Sequence, residues 1–137
     1  MEVLYHGSTV LGLTELQPFR RTTPGELKKE DVPESIYATD NPLAAVMFSF
    51  PWRSEEGIDL QVVGETLKLI VPSCHKDRLT QPIALYQLSR APFTRVPNVS
   101  QAIGNFWAQE SVPVSGVEEF PNVYSGVARF GGEIAVI

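Results

Sequence analysis

Short apolar runs, separated by turn residues, recur along the whole chain, and each run predicts a short β-strand. Prolines and glycines bound most of these runs, which is the usual pattern around strands. The predicted strands cover residues 2–6, 35–38, 66–71, 83–88, 93–96, 112–114 and 133–137, with a short strand or turn over 10–17. We expect the run at 112–114 to lie at a sheet edge because Pro113 interrupts it, and the last run to close the sheet.

One segment has the apolar spacing of an α-helix. Asp40 or Asn41 is a suitable N-cap, Pro42 fits the first turn, and Pro51 predicts the end of the helix. Its apolar face follows the i, i+3, i+4, i+7 pattern through Leu43, Val46, Met47 and Phe50. A second helix or turn is predicted over 99–109. Residues 17–34, 51–64 and 73–82 are polar and read as loops.

This pattern predicts a single α+β domain over residues 1–137, with a split mixed or antiparallel β-sheet core and one or two helices. The chain has 137 residues, of which 43% are hydrophobic and 20% charged, which is ordinary for a globular protein. No apolar run is long enough for a membrane span, and the N-terminus has no signal-peptide pattern. We therefore expect a cytoplasmic protein with no membrane partner.

Charge and the scarcity of metal-ligating residues disfavour nucleic-acid binding and metal-dependent catalysis. The net charge is −5, which disfavours a broad nucleic-acid surface because such surfaces need clustered Lys and Arg. Cys74 is the only cysteine, which fits a reducing compartment and forms no zinc framework. The two histidines, His6 and His75, lie far apart in the chain and form no metal motif, so no metal site is expected.

Two short motifs carry the candidate chemistry. A strand ending in His6-Gly7-Ser8 delivers an imidazole to a turn, and a second strand through Tyr37 to Thr39 delivers a phenol ring just before the helix. An imidazole and a phenol at strand ends, with a glycine beside the imidazole, can hold a flat ring and a ribose. The combination points to a dinucleotide ligand.

These motifs resemble the ADP-ribosyltransferase superfamily, in its His-Tyr-Glu branch that includes diphtheria toxin and the poly(ADP-ribose) polymerases. The resemblance covers residues 3–50 and extends more weakly over 83–114, where it is similar to small bacterial and phage members. It implies a minimal ADP-ribosyltransferase-like fold, NAD as the cofactor, and a location in a bacterial cell or in the host cell of a phage.

The same resemblance assigns roles to five residues. His6 would contact the ribose hydroxyls, the backbone of Gly7 would hold the nicotinamide carboxamide, and the ring of Tyr37 would stack on nicotinamide. Glycine suits its position if the backbone there approaches the ligand closely. Ser8 and Thr39 would be polar supports beside the nicotinamide.

The third member of the triad, a glutamate near the start of a later strand, is not at its expected position. That position falls on Phe106 in this chain. The nearby choices are Gln109 and Glu110, of which Glu110 is closest to the expected position and ranks first, and then Glu118, Glu119 and Glu133.

Three functions follow. The first is an NAD-dependent ADP-ribosyltransferase that modifies a macromolecule, with a protein favoured over nucleic acid as acceptor. The second is an RNA 2′-phosphotransferase of the same fold, which would need basic groups that this chain does not display clearly. The third is a catalytically degenerate binding or inhibitor protein that acts by protein–protein contact, and Phe106 at the glutamate position is its best support.

Overall fold

The computed structural model describes residues 3–18, 35–95 and 105–137, and it confirms an α+β fold with mostly antiparallel sheets. The strands are β1 Val3–Ser8, β2 Glu15–Leu16, β3 Ile36–Thr39, β4 Asp59–Val63, β5 Thr66–Val71, β6 Ile83–Ser89, β7 Thr94–Arg95, β8 Asn105–Ala108, β9 Val112–Pro113, β10 Gly116–Phe120 and β11 Glu133–Val136. The helices are α1 Pro42–Met47 and α2 Val123–Arg129, with 3₁₀ turns at Ser54–Glu56 and Ser73–Thr80. Most of the predicted loop at 17–34, and residues 99–104 of the second predicted helix, lie outside the described residues.

The main sheet has six antiparallel strands in the order β10-β6-β1-β3-β8-β7. Tyr5 pairs with Thr39, and continuing this register by one residue places His6 opposite Ala38. Side chains in one row across a sheet share a face. The His6 row runs Val117, Tyr86, His6, Ala38, Phe106 and Arg95. The neighbouring Gly7 row, on the opposite face, runs Glu118, Leu85, Gly7, Tyr37, Trp107 and Thr94.

Two hydrophobic clusters cover the two faces of this sheet. The face of the Gly7 row packs on α1, α2 and the second sheet, which has the order β11-β5-β4. The opposite face carries the buried rings of Tyr86, Phe93 and Phe106, and the two-stranded β2-β9 ribbon adds Leu16 and Val112 to the same cluster. The main sheet thus lies between two apolar layers, and His6 is only half-buried near the end of one strand.

Helix α1 begins as its sequence indicates but ends early. The Asn41 side chain accepts hydrogen bonds from the backbone N–H groups of Leu43 and Ala44, at 3.0 and 3.3 Å, and Pro42 occupies the first turn. The last helical residue is Met47, three residues before the predicted Phe50. The apolar face is confirmed, since Leu43, Val46, Met47 and Phe50 are all buried.

Three other predictions were wrong. Part of the predicted loop at 51–64 forms β4, which pairs with β5 through a two-residue turn at Gly64-Glu65. Residues 105–108 of the second predicted helix form β8 instead. Pairing with β3 makes this segment a strand, and Phe106 and Trp107 therefore point to opposite faces of the sheet. The final strand, β11, pairs parallel with β5 in the second sheet and does not close the first. Among the described residues, no helix is both long and apolar enough to cross a lipid bilayer.

Candidate functional site

The imidazole of His6 bridges the two strands that carry the sequence motifs. Its Nδ1–H donates a hydrogen bond to the backbone carbonyl of Tyr37, with an N···O distance of 2.6 Å. A carbonyl oxygen can only accept, so Nδ1 carries the proton, and in the neutral ring Nε2 is the acceptor nitrogen. The bond therefore fixes both the orientation of the ring and its tautomer. It joins His6 to the backbone of Tyr37, whereas the side chains of the two residues lie on opposite faces of the sheet.

Gly7 lies against α1, and this contact is what requires a glycine there. A Cβ atom at this position would lie 2.0 Å from the backbone oxygen of Ala45 and 2.8 Å from the Cβ of Ser49. From the sequence alone, the glycine is expected because a ligand would approach the backbone closely. The structure adds a packing requirement that holds without any ligand, since β1 and α1 could not approach so closely around a side chain.

Tyr37 lies in the Gly7 row, on the face that carries α1. Its side chain is 8% exposed, and its ring meets Trp107 edge to face, with centroids 6.1 Å apart and an interplanar angle of 65°. The two residues are direct register partners on β3 and β8. Trp107 is half-buried, so this pair forms an aromatic wall next to Gly7.

The two predicted polar supports act within turns. The hydroxyl of Ser8 accepts a hydrogen bond from the backbone N–H of Val10 at 3.0 Å. The hydroxyl of Thr39, which is buried, accepts from the backbone N–H of Asn41 at 3.1 Å. Each hydroxyl satisfies a backbone donor at the end of its strand. Both residues therefore shape the ends of β1 and β3.

An aromatic pair that the sequence reasoning missed follows α1 and packs against the same apolar cluster as the helix. Phe48 stacks on Trp52 with centroids 5.5 Å apart and an interplanar angle of 6°. The indole N–H of Trp52 donates to the backbone oxygen of Met47 at 2.9 Å, which holds its ring in place. Phe48 precedes Ser49, the residue that Gly7 approaches. In the sequence, this pair is visible as two aromatic residues four positions apart, and Phe48 does not belong to the apolar face of the predicted helix.

A salt bridge fixes the segment that carries this aromatic pair. Arg78 Nη1 donates to Glu56 Oε1 at 3.1 Å and to the backbone oxygen of Pro51 at 3.2 Å, and Arg78 Nη2 bonds Glu56 Oε2 at 2.5 Å. These contacts tie the chain on either side of Trp52 to the 3₁₀ turn at Ser73–Thr80.

This salt bridge gives a pH-dependent prediction. The hydrogen bonds from Arg78 hold the pKa of Glu56 below its ordinary value of 4.5. A lowered native pKa adds stability above pH 4.5, and that stability is lost as the pH falls through the native pKa. We expect Arg78→Gln to reduce the drop in melting temperature between pH 6 and pH 3. Arg53→Gln, which removes only an exposed pair at 3.8 Å, should leave the pH dependence unchanged, and an unchanged profile in Arg78→Gln would contradict the prediction.

The four candidate glutamates lie in different parts of the fold. Glu118 and Glu119 are on β10, two strands from β1, so their Cα atoms are about 10 Å from those of their row neighbours Gly7 and Ser8. Glu118 faces α2 and accepts a hydrogen bond from Arg129 at 3.2 Å, whereas Glu119 shares the face of His6 and is exposed. Glu110 is exposed, two residues beyond the pairing of Ala108 with Ile36. Glu133 begins β11 in the second sheet.

Phe106 lies in the His6 row, two strands from His6 on the side away from Glu119. Its ring is 2% exposed and is flanked by the guanidinium groups of Arg90 and Arg95, at 4.8 and 4.9 Å from the ring centroid. The position where the resemblance expects a carboxylate is thus a buried apolar ring beside two positive charges. This arrangement stabilises the sheet face through cation–π contact.

Neither a metal cluster nor a known relative identifies the site. In residues 3–18, 35–95 and 105–137, no three His, Cys, Asp or Glu side chains come together in a way that could hold a metal ion. A scan against protein-family models and searches of curated proteins and of solved structures found no match to this chain. The geometry around His6, Gly7 and Tyr37 is therefore the basis for a functional proposal.

Proposed function

We propose that this chain is an NAD-dependent ADP-ribosyltransferase with a minimal ADP-ribosyltransferase-like fold. The observation that carries the proposal is the 2.6 Å hydrogen bond from His6 Nδ1 to the carbonyl of Tyr37. It joins the two motifs that suggested the family and fixes the imidazole in the tautomer in which Nε2 is an acceptor.

The surroundings of this bond suit a flat, polar ligand. The backbone of Gly7, the edge-to-face pair of Tyr37 and Trp107, and the aromatic stack that begins at Phe48 lie on the same side of β1. Stacking of a flat ring on aromatic side chains contributes about 1–3 kcal/mol in comparable nucleic-acid sites. We therefore propose that the nicotinamide stacks on this side of β1, which is the face opposite the one that carries the His6 side chain.

The acceptor class follows from the charge of the chain, whose net charge is −5. The acidic balance of the chain favours a protein acceptor over a nucleic acid.

The activity is tested by measuring nicotinamide release and NAD binding. Wild-type protein incubated with NAD is expected to release nicotinamide, slowly as hydrolysis and faster when an acceptor is present. NAD should also raise the melting temperature, since a ligand that binds only the folded state stabilises it. Absence of both effects at millimolar NAD would overturn the proposal.

The catalytic carboxylate is predicted to be Glu119 in preference to Glu110, because Glu119 shares the face of His6 and lies two strands away. Glu119→Gln keeps the size of the side chain but removes its charge, so we expect at least a roughly tenfold loss of nicotinamide release. Glu133→Gln, in the second sheet, is the matched control and should retain full activity. A loss confined to Glu110→Gln would instead restore the assignment made from the sequence.

One observation favours a second candidate function, a degenerate protein that binds NAD or a protein partner without transfer. The buried ring of Phe106 occupies the expected glutamate position in the His6 row. This function predicts that NAD raises the melting temperature while no nicotinamide appears above the rate in buffer. The transferase function predicts both a raised melting temperature and nicotinamide release. Measuring both quantities on the same samples therefore distinguishes the two functions.

A further inference from the structure

Tyr86 is a fully buried tyrosine that the proposed chemistry does not use. It lies on β6 directly opposite His6, in the same row of the main sheet. Its ring is part of the apolar cluster on that face, together with Ala38 and Phe106. A phenylalanine would supply the same packing, so the hydroxyl needs a separate explanation.

The hydroxyl closes the loop that follows the His6 motif. Residues 9–14 leave the end of β1 and lead to the short strand β2. The Tyr86 O–H donates to the backbone oxygen of Val10 at 2.6 Å, and the backbone N–H of Leu13 donates to the Tyr86 oxygen at 3.1 Å. One buried side chain thus binds both ends of the loop tip, across more than 70 residues of sequence.

Burial holds only one end of this loop, where Leu13 packs against the apolar cluster that contains Tyr86. The side chains of Val10 and Leu11 are 55% and 42% exposed, so they contribute little packing. The N–H of Val10 is bound by Ser8, and the backbone oxygen of Thr14 accepts from the N–H of Val114 at 2.9 Å. Hydrogen bonds to the backbone therefore fix the loop, and the two made by Tyr86 are the ones that tie it to the strand beside His6.

We propose that Tyr86 is a positioning residue for the candidate site, whose hydroxyl fixes the 9–14 loop and with it the end of β1 that presents His6 and Gly7. This inference rests on the proposed function, because NAD is the ligand whose affinity it affects. Loss of the hydroxyl leaves the carbonyl of Val10 and the N–H of Leu13 without this partner, so the loop and the end of β1 sample other conformations and bind NAD more weakly.

Tyr86→Phe tests this with two measurements on the full chain. Hydrogen exchange at the Leu13 amide is expected to accelerate at least tenfold, and the NAD dissociation constant from calorimetry is expected to rise about tenfold, the combined effect of two neutral hydrogen bonds. Tyr124→Phe, which changes an exposed tyrosine of α2, should leave both values as in wild type. Exchange at Leu69, buried in the second sheet, should stay unchanged and show that the fold persists.

Each of the other possible results of these measurements would overturn a different part of the proposal. Faster exchange at Leu13 with an unchanged NAD dissociation constant would overturn the proposal and leave Tyr86 a purely structural residue. Unchanged exchange at Leu13 would overturn the role of the hydroxyl in holding the loop. Wild-type protein that binds no NAD would overturn the proposed function itself and, with it, the role given to Tyr86 at that site.

Discussion

Replacing His6 with asparagine is expected to reduce NAD-dependent nicotinamide release at least a hundredfold while the protein stays folded. The amide nitrogen of asparagine lies the same number of bonds from Cα as Nδ1 of histidine, so it can still donate to the Tyr37 carbonyl. It has no group in place of Nε2, and the resemblance assigns the His6 ring to the ribose. A displaced ribose costs a factor of this order, because the reaction depends on orientation.

Two further variants separate binding from folding. His6→Ala removes both nitrogens, so it should lose activity and also about 1 kcal/mol of unfolding free energy, since the Tyr37 carbonyl loses its donor. His75→Ala, in the 3₁₀ turn at Ser73–Thr80, is the matched histidine control and should behave like wild type. Full nicotinamide release by His6→Asn would remove the imidazole from the mechanism and contradict the proposed function.

Gly7→Ala is expected to be the most destabilising single substitution proposed for this chain, at about 3 kcal/mol of unfolding free energy. The added methyl group would meet the backbone of Ala45, which cannot rotate away, and the Cβ of Ser49. Overpacking of this kind costs about 1–3 kcal/mol, and contact with backbone falls at the upper end. The entropic gain from replacing glycine in the unfolded chain is below about 1 kcal/mol and does not offset it.

A second glycine provides the matched control. Gly64, in the turn between β4 and β5, has a φ of 60° and no atom within 4 Å of an added Cβ. Gly64→Ala therefore adds backbone strain without a clash and should cost about 1 kcal/mol. Chemical denaturation of both variants measures the difference. Equal losses would show that α1 shifts easily away from β1, and the close contact at Gly7 would then carry no stability.

Local sequence signals predicted the elements that carry the site. The apolar run through Leu4, the run through Ile36 and the cap at Asn41 each favour one structure within a few residues, and β1, β3 and α1 form there. Residues 105–108 show the limit of this approach. The neighbouring rings of Phe106 and Trp107 suit a helix face or a strand equally, and pairing with β3 and β7 decides for a strand.

Other elements depend on pairing that no local pattern records. The segment at Asp59–Val63 is largely exposed, and its apolar residues follow a polar stretch that reads as a loop, yet it pairs with β5 because the Gly64 turn reverses the chain. The parallel pairing of β11 with β5 joins segments more than 60 residues apart. The order of strands in the main sheet likewise depends on contacts between distant segments.

The sequence by itself determined which residues carry the candidate chemistry, because an imidazole, a glycine and a phenol are visible as residue types in or beside short apolar runs. Only the tertiary structure decided how they act together. It showed that the Nδ1–H of His6 bonds the backbone of Tyr37, that Gly7 is required by α1, and that Tyr86 holds the following loop. The physical reason is that each of these contacts joins residues at least 31 positions apart in the chain. Their distances therefore depend on how whole strands and helices pack together.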